Sequence, residues 1–236
     1  MELVTSESVA NYAKSDATEY RLNTLCVPED EDLLCQRWLR DSQPKRYIFE
    51  RMYGELFDKA PPSRILDVGG GLTGLTRAMA NRHDYQLVDL LAHGEEESAA
   101  DMATQVGVDF IKRLDWANLS RGSYDLVIAN DLFPNVDQRL EMFLGCFLPC
   151  SHRIRMSLTY YDTPRFYMTR RVDADEILCV LAWSSEHLTV PLKKYSSRIM
   201  HEDFEIFSRP GKSVFANGRQ VCLIDFKGDL KAGGVQ

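Results

Sequence analysis

Between Pro44 and Phe57, apolar residues recur at four-residue steps. Ile48, Met52 and Leu56 form one row, and Phe49, Tyr53 and Phe57 form a second beside it. Two adjacent rows at this spacing predict an amphipathic helix, with Pro44 tolerated in its first turn and Pro61-Pro62 ending it. The first twenty or so residues are polar and predict a frayed or loosely helical start. Beyond Pro62 the pattern changes, and short apolar runs alternate with helical stretches. "RILDV", "YQLVDL", "VDFIKRL", "YDLVIAND" and "RIRMSLTYY" read as strands. "TGLTRAMAN", "EEESAADMATQ" and "NVDQRLEMFLGCFLP" read as helices, the last with Val136, Leu140, Phe143, Leu144 and Phe147 on one face. "DADEILCVLAW" opens with Asp173 and Glu176 at capping-box spacing and predicts another helix.

Strands alternating with helices predict an α/β fold of three layers, a mostly parallel sheet covered on both faces. The C-terminal part departs from this rhythm. "SVFANGRQVCLIDF" holds Asn217-Gly218 between two β-prone runs, which predicts a closing antiparallel hairpin. At 236 residues the chain suits one domain with a substantial core. Residues 1–60 are expected to form a helical lid or cap, and 61–236 the ligand-binding domain.

Composition narrows the classes. The formal net charge of -7 argues against a broad nucleic-acid or anionic-membrane surface. No apolar run approaches the roughly 18 residues that would span a bilayer, and the polar start does not read as a secretory signal. The six cysteines include no C-x-x-C pair, and no metal-ligand spacing joins them to the five histidines. A cytoplasmic protein with reduced thiols and no bound metal is the expectation.

The chemistry concentrates after the first predicted strand of the alternating region. Gly69, Gly71 and Gly74 fit G-x-G-x-x-G, a turn that lets a ligand approach the backbone. Asp67 precedes the first of these glycines by two positions. A carboxylate there would repel a pyrophosphate by ~1–4 kcal/mol per charge pair at ~4 Å. It suits S-adenosylmethionine, which lacks phosphate and carries ammonium and sulfonium charges. Asp89 ends the second strand, 22 positions after Asp67, where an acid can accept both ribose hydroxyls. Asp115 follows the third strand and precedes Trp116, a pair suited to the adenine amino group and ring.

With these motifs the sequence resembles the class I S-adenosylmethionine-dependent methyltransferases from Arg64 to about Phe226, through "LDVGGGLTG", the acid of "YQLVD", the "LDW" turn, "YDLVIAND" and the closing hairpin. The resemblance implies a Rossmann-like methyltransferase fold, a seven-stranded sheet whose last strand is inserted antiparallel. It implies S-adenosyl-L-methionine held by Asp67, Gly69, Gly70, Gly71, Asp89, Leu90, Asp115, Trp116 and Asn130. Leu72-Thr73 before the third glycine depart from the common D-x-G-x-G-x-G loop, which sets Gly74 apart from direct contact.

The methyl acceptor is expected at the tips of the fourth and fifth strands under the N-terminal segment. Asp131 is the candidate catalytic group, able to orient or deprotonate a hydroxyl or hold an amine, or else to cap the next helix. Arg46, Tyr47, Asn135, Tyr160, Tyr161 and Arg165 are the candidate acceptor contacts. The expected activity is methylation at oxygen or nitrogen of a small polar molecule: a sugar, an amine or guanidino compound, or a specialised-metabolite precursor. No N/D-P-P-Y/F motif points to a nucleic-acid base, and no membrane partner is expected. The competing readings are an NAD(P)-dependent oxidoreductase and a non-catalytic S-adenosylmethionine-binding subunit.

Overall fold

Strand and helix periodicities sort the chain into a central sheet with a helical layer on each face. The computed structural model describes residues 1–58, 61–120, 122–170, 177–208 and 211–230. Strands β2 (Arg64–Val68), β3 (Asp84–Asp89), β4 (Ile111–Arg113), β5 (Tyr124–Phe133) and β6 (Ser151–Tyr160) run parallel to their neighbours in this set. Strand β9 (Gln220–Lys227) lies antiparallel beside β6, and β1 (Glu2–Leu3) antiparallel on the far side of β9. The sheet order is β1-β9-β6-β5-β2-β3-β4. The chain moves outward from β2 in one direction and then returns to continue from β5 in the other. The crevice between β2 and β5 is the place where open α/β sheets bind ligands.

Alternation along each strand distributes the core. Ile65 and Leu87 face helices α1 (Ser6–Tyr12), α2 (Ala17–Leu25), α3 (Leu34–Asp41), α4 (Gln43–Asp58), α5 (Gly74–Ala80) and α6 (Glu96–Val106). Leu66, Val68 and Val88 face α7 (Leu140–Phe147) and α8 (Ser185–Lys194). In α4 both apolar rows are buried, with Met52, Tyr53 and Leu56 at most 1% exposed. Each such side chain contributes ~1.5–3 kcal/mol of burial. No helix among the described residues is long and apolar enough to cross a membrane.

The expected seven-stranded, mostly parallel sheet is present, and four local expectations change. The start of the chain is ordered rather than frayed: Thr5 and Ser8 form a capping box on α1, Asp16 caps α2, and β1 completes the sheet edge. Ile177–Ala182, expected within a helix, is strand β8, paired antiparallel with β7 (Arg165–Arg170) as a separate hairpin. A short run of β-branched and apolar residues carries no decisive period, and pairing with β7 settles it. Asp173 and Glu176 lie outside the described residues. The antiparallel hairpin therefore stands at β7–β8. Asn217-Gly218 makes a turn, with Gly218 at φ 80°, that leads into the single strand β9. Val136, expected on the buried face of α7, precedes that helix and is exposed.

Candidate active site

The glycine turn, the segments after β3 and β5, α3–α4 and the β7–β8 hairpin together enclose a cavity of about 820 Å³. Gly69 and Gly71 both sit at φ +71°, in the left-handed region, and Gly69, Gly70 and Gly71 line the cavity. A Cβ at Gly71 would come within 2.3 Å of Cys35 Sγ on α3, so α3 leaves no space there. Burial pushes the Cys35 thiol up to about 12.

Amide donors around this turn are already engaged within the protein. Gly69 N donates to Val88 O at 2.9 Å, and Gly71 N donates to Asp89 Oδ2 at 3.1 Å. Gly74 N, at the start of α5, donates to Gln36 Oε1 of α3 at 2.9 Å, and Thr76 N to Thr73 Oγ1 at 3.0 Å. Gly74 is not on the cavity wall. The segment before α3 is bound to α5 further by the buried Arg77–Asp30 pair at 2.6 Å.

Asp67 is turned away from the cavity. Alternation along β2 puts it on the same face as Ile65, under α4. There its carboxylate accepts from Tyr85 Oη at 2.6 Å and Tyr53 Oη at 3.2 Å. A Cβ at Gly70 would come within 2.4 Å of Asp67 Oδ2, so the acid lies directly beneath the turn. Burial drives the Asp67 carboxyl up to about 7, with the two tyrosine hydroxyls opposing the rise and Asp89 adding to it. The sequence places Asp67 among the cofactor contacts; in the structure it lies off the cavity wall and supports the loop from below.

Asp89 does line the cavity. Its Oδ1 accepts from Leu91 N at 2.8 Å while its Oδ2 holds Gly71, which leaves further lone pairs facing the cavity. Leu90 beside it is 55% exposed. On the next wall, Asp115 accepts from Ala117 N at 2.9 Å and pairs with Arg139 at 3.0 Å. Trp116 is buried against Phe133, Phe143 and Phe147, and its indole N–H donates to Asp137 Oδ2 at 2.8 Å. Arg139 closes this cluster, pairing with Asp137 at 2.6 Å and lying 4.6 Å from the Trp116 ring centre. Both Asp115 and Trp116 remain on the wall, but the Asp115 carboxylate is tied to Arg139 and to a turn amide.

Across the cavity, Asp131 adopts φ 56°, left-handed for a non-glycine residue. Arg219 Nη1 donates to both of its oxygens at 2.9 Å, and Thr159 Oγ1 and Asn135 Nδ2 donate to Oδ1 at 3.2 Å each. Asp131 N donates to Ser157 Oγ at 2.7 Å, and Ser157 Oγ donates to Asn130 Oδ1 at 2.7 Å. An Asp131 carboxylate occupied by three side chains is poorly placed to take a proton from an acceptor. Of the roles expected for Asp131, holding a cation is the one these contacts resemble, and the cation is Arg219. Lys45 reaches the cavity from the first turn of α4, with Nζ 4.1 Å from the Trp38 ring centre. Desolvation lowers the Lys45 pKa, with Asp131 opposing the fall and Arg219 adding to it.

No protein-family model and no curated protein matches the chain. Solved structures do. The N-terminal domain of EvdMO1, with SAH bound, aligns with a TM-score of 0.51 at 16% identity, over 76% of this chain and 79% of that one. The PH0226 protein from Pyrococcus horikoshii OT3 aligns at 0.51 and 14% identity, over 82% and 99%. The 1,6-didemethyltoxoflavin-N1-methyltransferase of Burkholderia thailandensis, with 1,6-didemethyltoxoflavin and S-adenosylhomocysteine bound, aligns at 0.50 and 13% identity, over 93% and 86%. This chain has the class I methyltransferase fold.

Within that fold, the structure brings Gly69, Gly70, Gly71, Asp89, Leu90, Asp115, Trp116, Asn130, Asp131, Asn135 and Tyr161 to one cavity. It places four further candidates elsewhere. Arg46 turns outward to Asp16 at 2.9 Å, and the Tyr47 hydroxyl donates to Glu2. Tyr160 points to the opposite face of β6 and meets Phe207 edge-on. Arg165 lies over the rings of Tyr161 and Tyr167, off the cavity wall. The methyltransferase fold adds Lys45, Trp38, Glu95, Arg139 and Arg219, none of which stood out in the sequence as a ligand contact. Lys45 carried a signal: it precedes Ile48, Phe49 and Met52 at three-, four- and seven-residue steps and so belongs to the inward face. Arg219 carried none beyond its place after a turn.

Proposed function

We propose that the protein transfers a methyl group from S-adenosyl-L-methionine to oxygen or nitrogen of a small polar molecule. The observation that carries the reading is the internal use of the loop amides. Gly71, Gly74 and Thr76 spend their N–H groups on Asp89, Gln36 and Thr73, so the turn does not offer a pyrophosphate the usual cluster of donors. Asp89 and Glu95 on the same wall favour a ligand that is cationic and phosphate-free. This disfavours the nicotinamide reading. The likeness in fold to proteins crystallised with SAH points the same way.

The residues fit such a ligand. Gly69–Gly71 give a side-chain-free surface, Asp89 keeps lone pairs for ribose hydroxyls, and Leu90 and Trp116 bound the space expected for the base. Asn130 lies on the cavity wall toward the end of β5, where Ser157 fixes its carbonyl. When bound, the sulfonium supplies an already activated methyl group. The protein's part is to orient the acceptor beside it and to exclude water. Residues 1–58 serve as the lid over this site, as an extension of a single domain.

Two measurements test the reading. S-adenosylhomocysteine is expected to raise the melting temperature, and NAD to leave it unchanged. Incubation with isotopically labelled S-adenosylmethionine and a metabolite extract is expected to yield a labelled small molecule. Stabilisation by NAD alone would overturn the proposal, and tight binding with no labelled product from any extract would favour the non-catalytic subunit.

A further inference from the structure

Charge is distributed unevenly around the cavity. Toward Asp89, four carboxylates line the wall: Asp89, Glu95, Asp115 and Asp137, with Arg139 paired to the last two. Toward the β7–β8 hairpin the balance reverses. Arg219 and Lys45 share that part with one carboxylate, Asp131, with which both interact.

Arg219 is only 8% exposed, yet its guanidinium is not used up. Nη1 alone holds Asp131, and the Phe215 ring lies 4.0 Å from the guanidinium carbon. No other acceptor among the described residues takes a side-chain hydrogen bond from it, so Nε and Nη2 remain as donors. The Asp131 pairing and the Phe215 ring fix the plane of this fork in advance, the geometry in which arginine recognises a carboxylate. Lys45 has no carboxylate within salt-bridge distance among the described residues; its ammonium rests on Trp38. A half-buried cation that shares its one nearby carboxylate, Asp131, with Arg219 is stabilised when a ligand brings a second negative charge. Tyr161, Tyr167 and Asn217 line the same part and add neutral polar contacts.

We infer that the methyl acceptor is an anion whose carboxylate docks on the open edge of Arg219 with Lys45 nearby. This narrows the acceptor class and rests on the methyltransferase reading above. Among the acceptors the sequence admits are amines and guanidino compounds; the local charge at the acceptor end points to an acid, including one that also carries an amine.

Calorimetry on protein saturated with S-adenosylhomocysteine tests this with matched probes: 4-hydroxybenzoate, 3-hydroxybenzoate and succinate, each against its primary amide. At least one carboxylate is expected to bind ten-fold or more tightly than its amide, in line with the ~10–100-fold value of a charge-assisted contact. Arg219→Gln is expected to remove that preference, and Arg219→Lys to retain part of it, with S-adenosylhomocysteine affinity within two-fold of wild type in both. The inference fails if no carboxylate outbinds its amide, or if Arg219→Gln leaves the preference intact. It also fails if Arg219→Gln weakens S-adenosylhomocysteine ten-fold, because Arg219 then serves the cofactor. Failure of wild-type protein to bind S-adenosylhomocysteine would overturn the underlying reading itself and is scored separately.

Discussion

Asp67 is a buried acid whose proton is coupled to folding. Its carboxyl titrates near 7 in the folded chain against an ordinary value of 3.8, and burial is the main cause. The gap of about three pH units corresponds to ~4 kcal/mol at ~1.36 kcal/mol per unit. Between the two values the folded protein keeps a proton that the unfolded chain releases. Stability is therefore highest below pH ~4 as far as this group is concerned, falls as pH rises to ~7, and is level above. Asp67→Asn imitates the protonated acid and removes the titration. Other carboxylates titrate in both proteins and cancel in the difference. Urea unfolding of the two proteins, followed by tryptophan fluorescence from pH 5 to pH 8, gives that difference directly. Wild type is expected to lose ~3 kcal/mol relative to the variant across this range. The groups that face Asp67 are Tyr53, Tyr85 and Asp89, and both tyrosines are held well above their usual range, so neither titrates in this window. A difference that stays constant within ~0.5 kcal/mol would refute the assignment of a protonated carboxyl at the base of the glycine turn.

Three substitutions probe the rest of the site. Asp89→Ala is expected to weaken S-adenosylhomocysteine by roughly ten- to a hundred-fold by calorimetry, the value of a hydrogen bond to a charged group; unchanged affinity would remove Asp89 from the cofactor contacts. Gly71→Ala combines an unfavourable φ with a Cβ 2.3 Å from Cys35 Sγ and is expected to cost at least ~1–2 kcal/mol in chemical denaturation. Arg77→Ala leaves the buried Asp30 carboxylate without its cation and is expected to cost ~3–5 kcal/mol, with Asp30→Asn in the same chain restoring part of it; no recovery in the double variant would show that the unpaired Asp30 charge is not the source of the loss.

The strand–turn–helix unit from Arg64 to Ala80 was legible because glycines, an apolar run and a helical period agree over a short span. Asp89 was legible for the same local reason: an acid at a strand tip has few places to go. Spacing from the glycines puts Asp67 near the turn, but its place in the strand decides which side of the sheet it faces. Ile65 and Asp67 share a face by simple alternation, and that face lies under α4, where Tyr53 and Tyr85 have hydroxyls to satisfy. Arg46 and Tyr47 failed by one and two positions, since helical period aims Lys45 inward in their place. Arg219 could not be found locally. Its role follows from β9 being inserted beside β6, which brings residue 219 to residue 131 across 88 positions of chain.

Strand β1 has a consequence for how ligands reach the interior. The helices that roof the cavity are fastened to the sheet at both of their ends, at the outer edge through β1 and at the centre through β2. A roof tethered at two sides cannot swing open on one hinge. The β7–β8 ribbon, by contrast, pairs with no strand of that sheet and brings Tyr167, Thr169 and Leu178 to the cavity wall, so it is the part of the enclosure without a sheet tether.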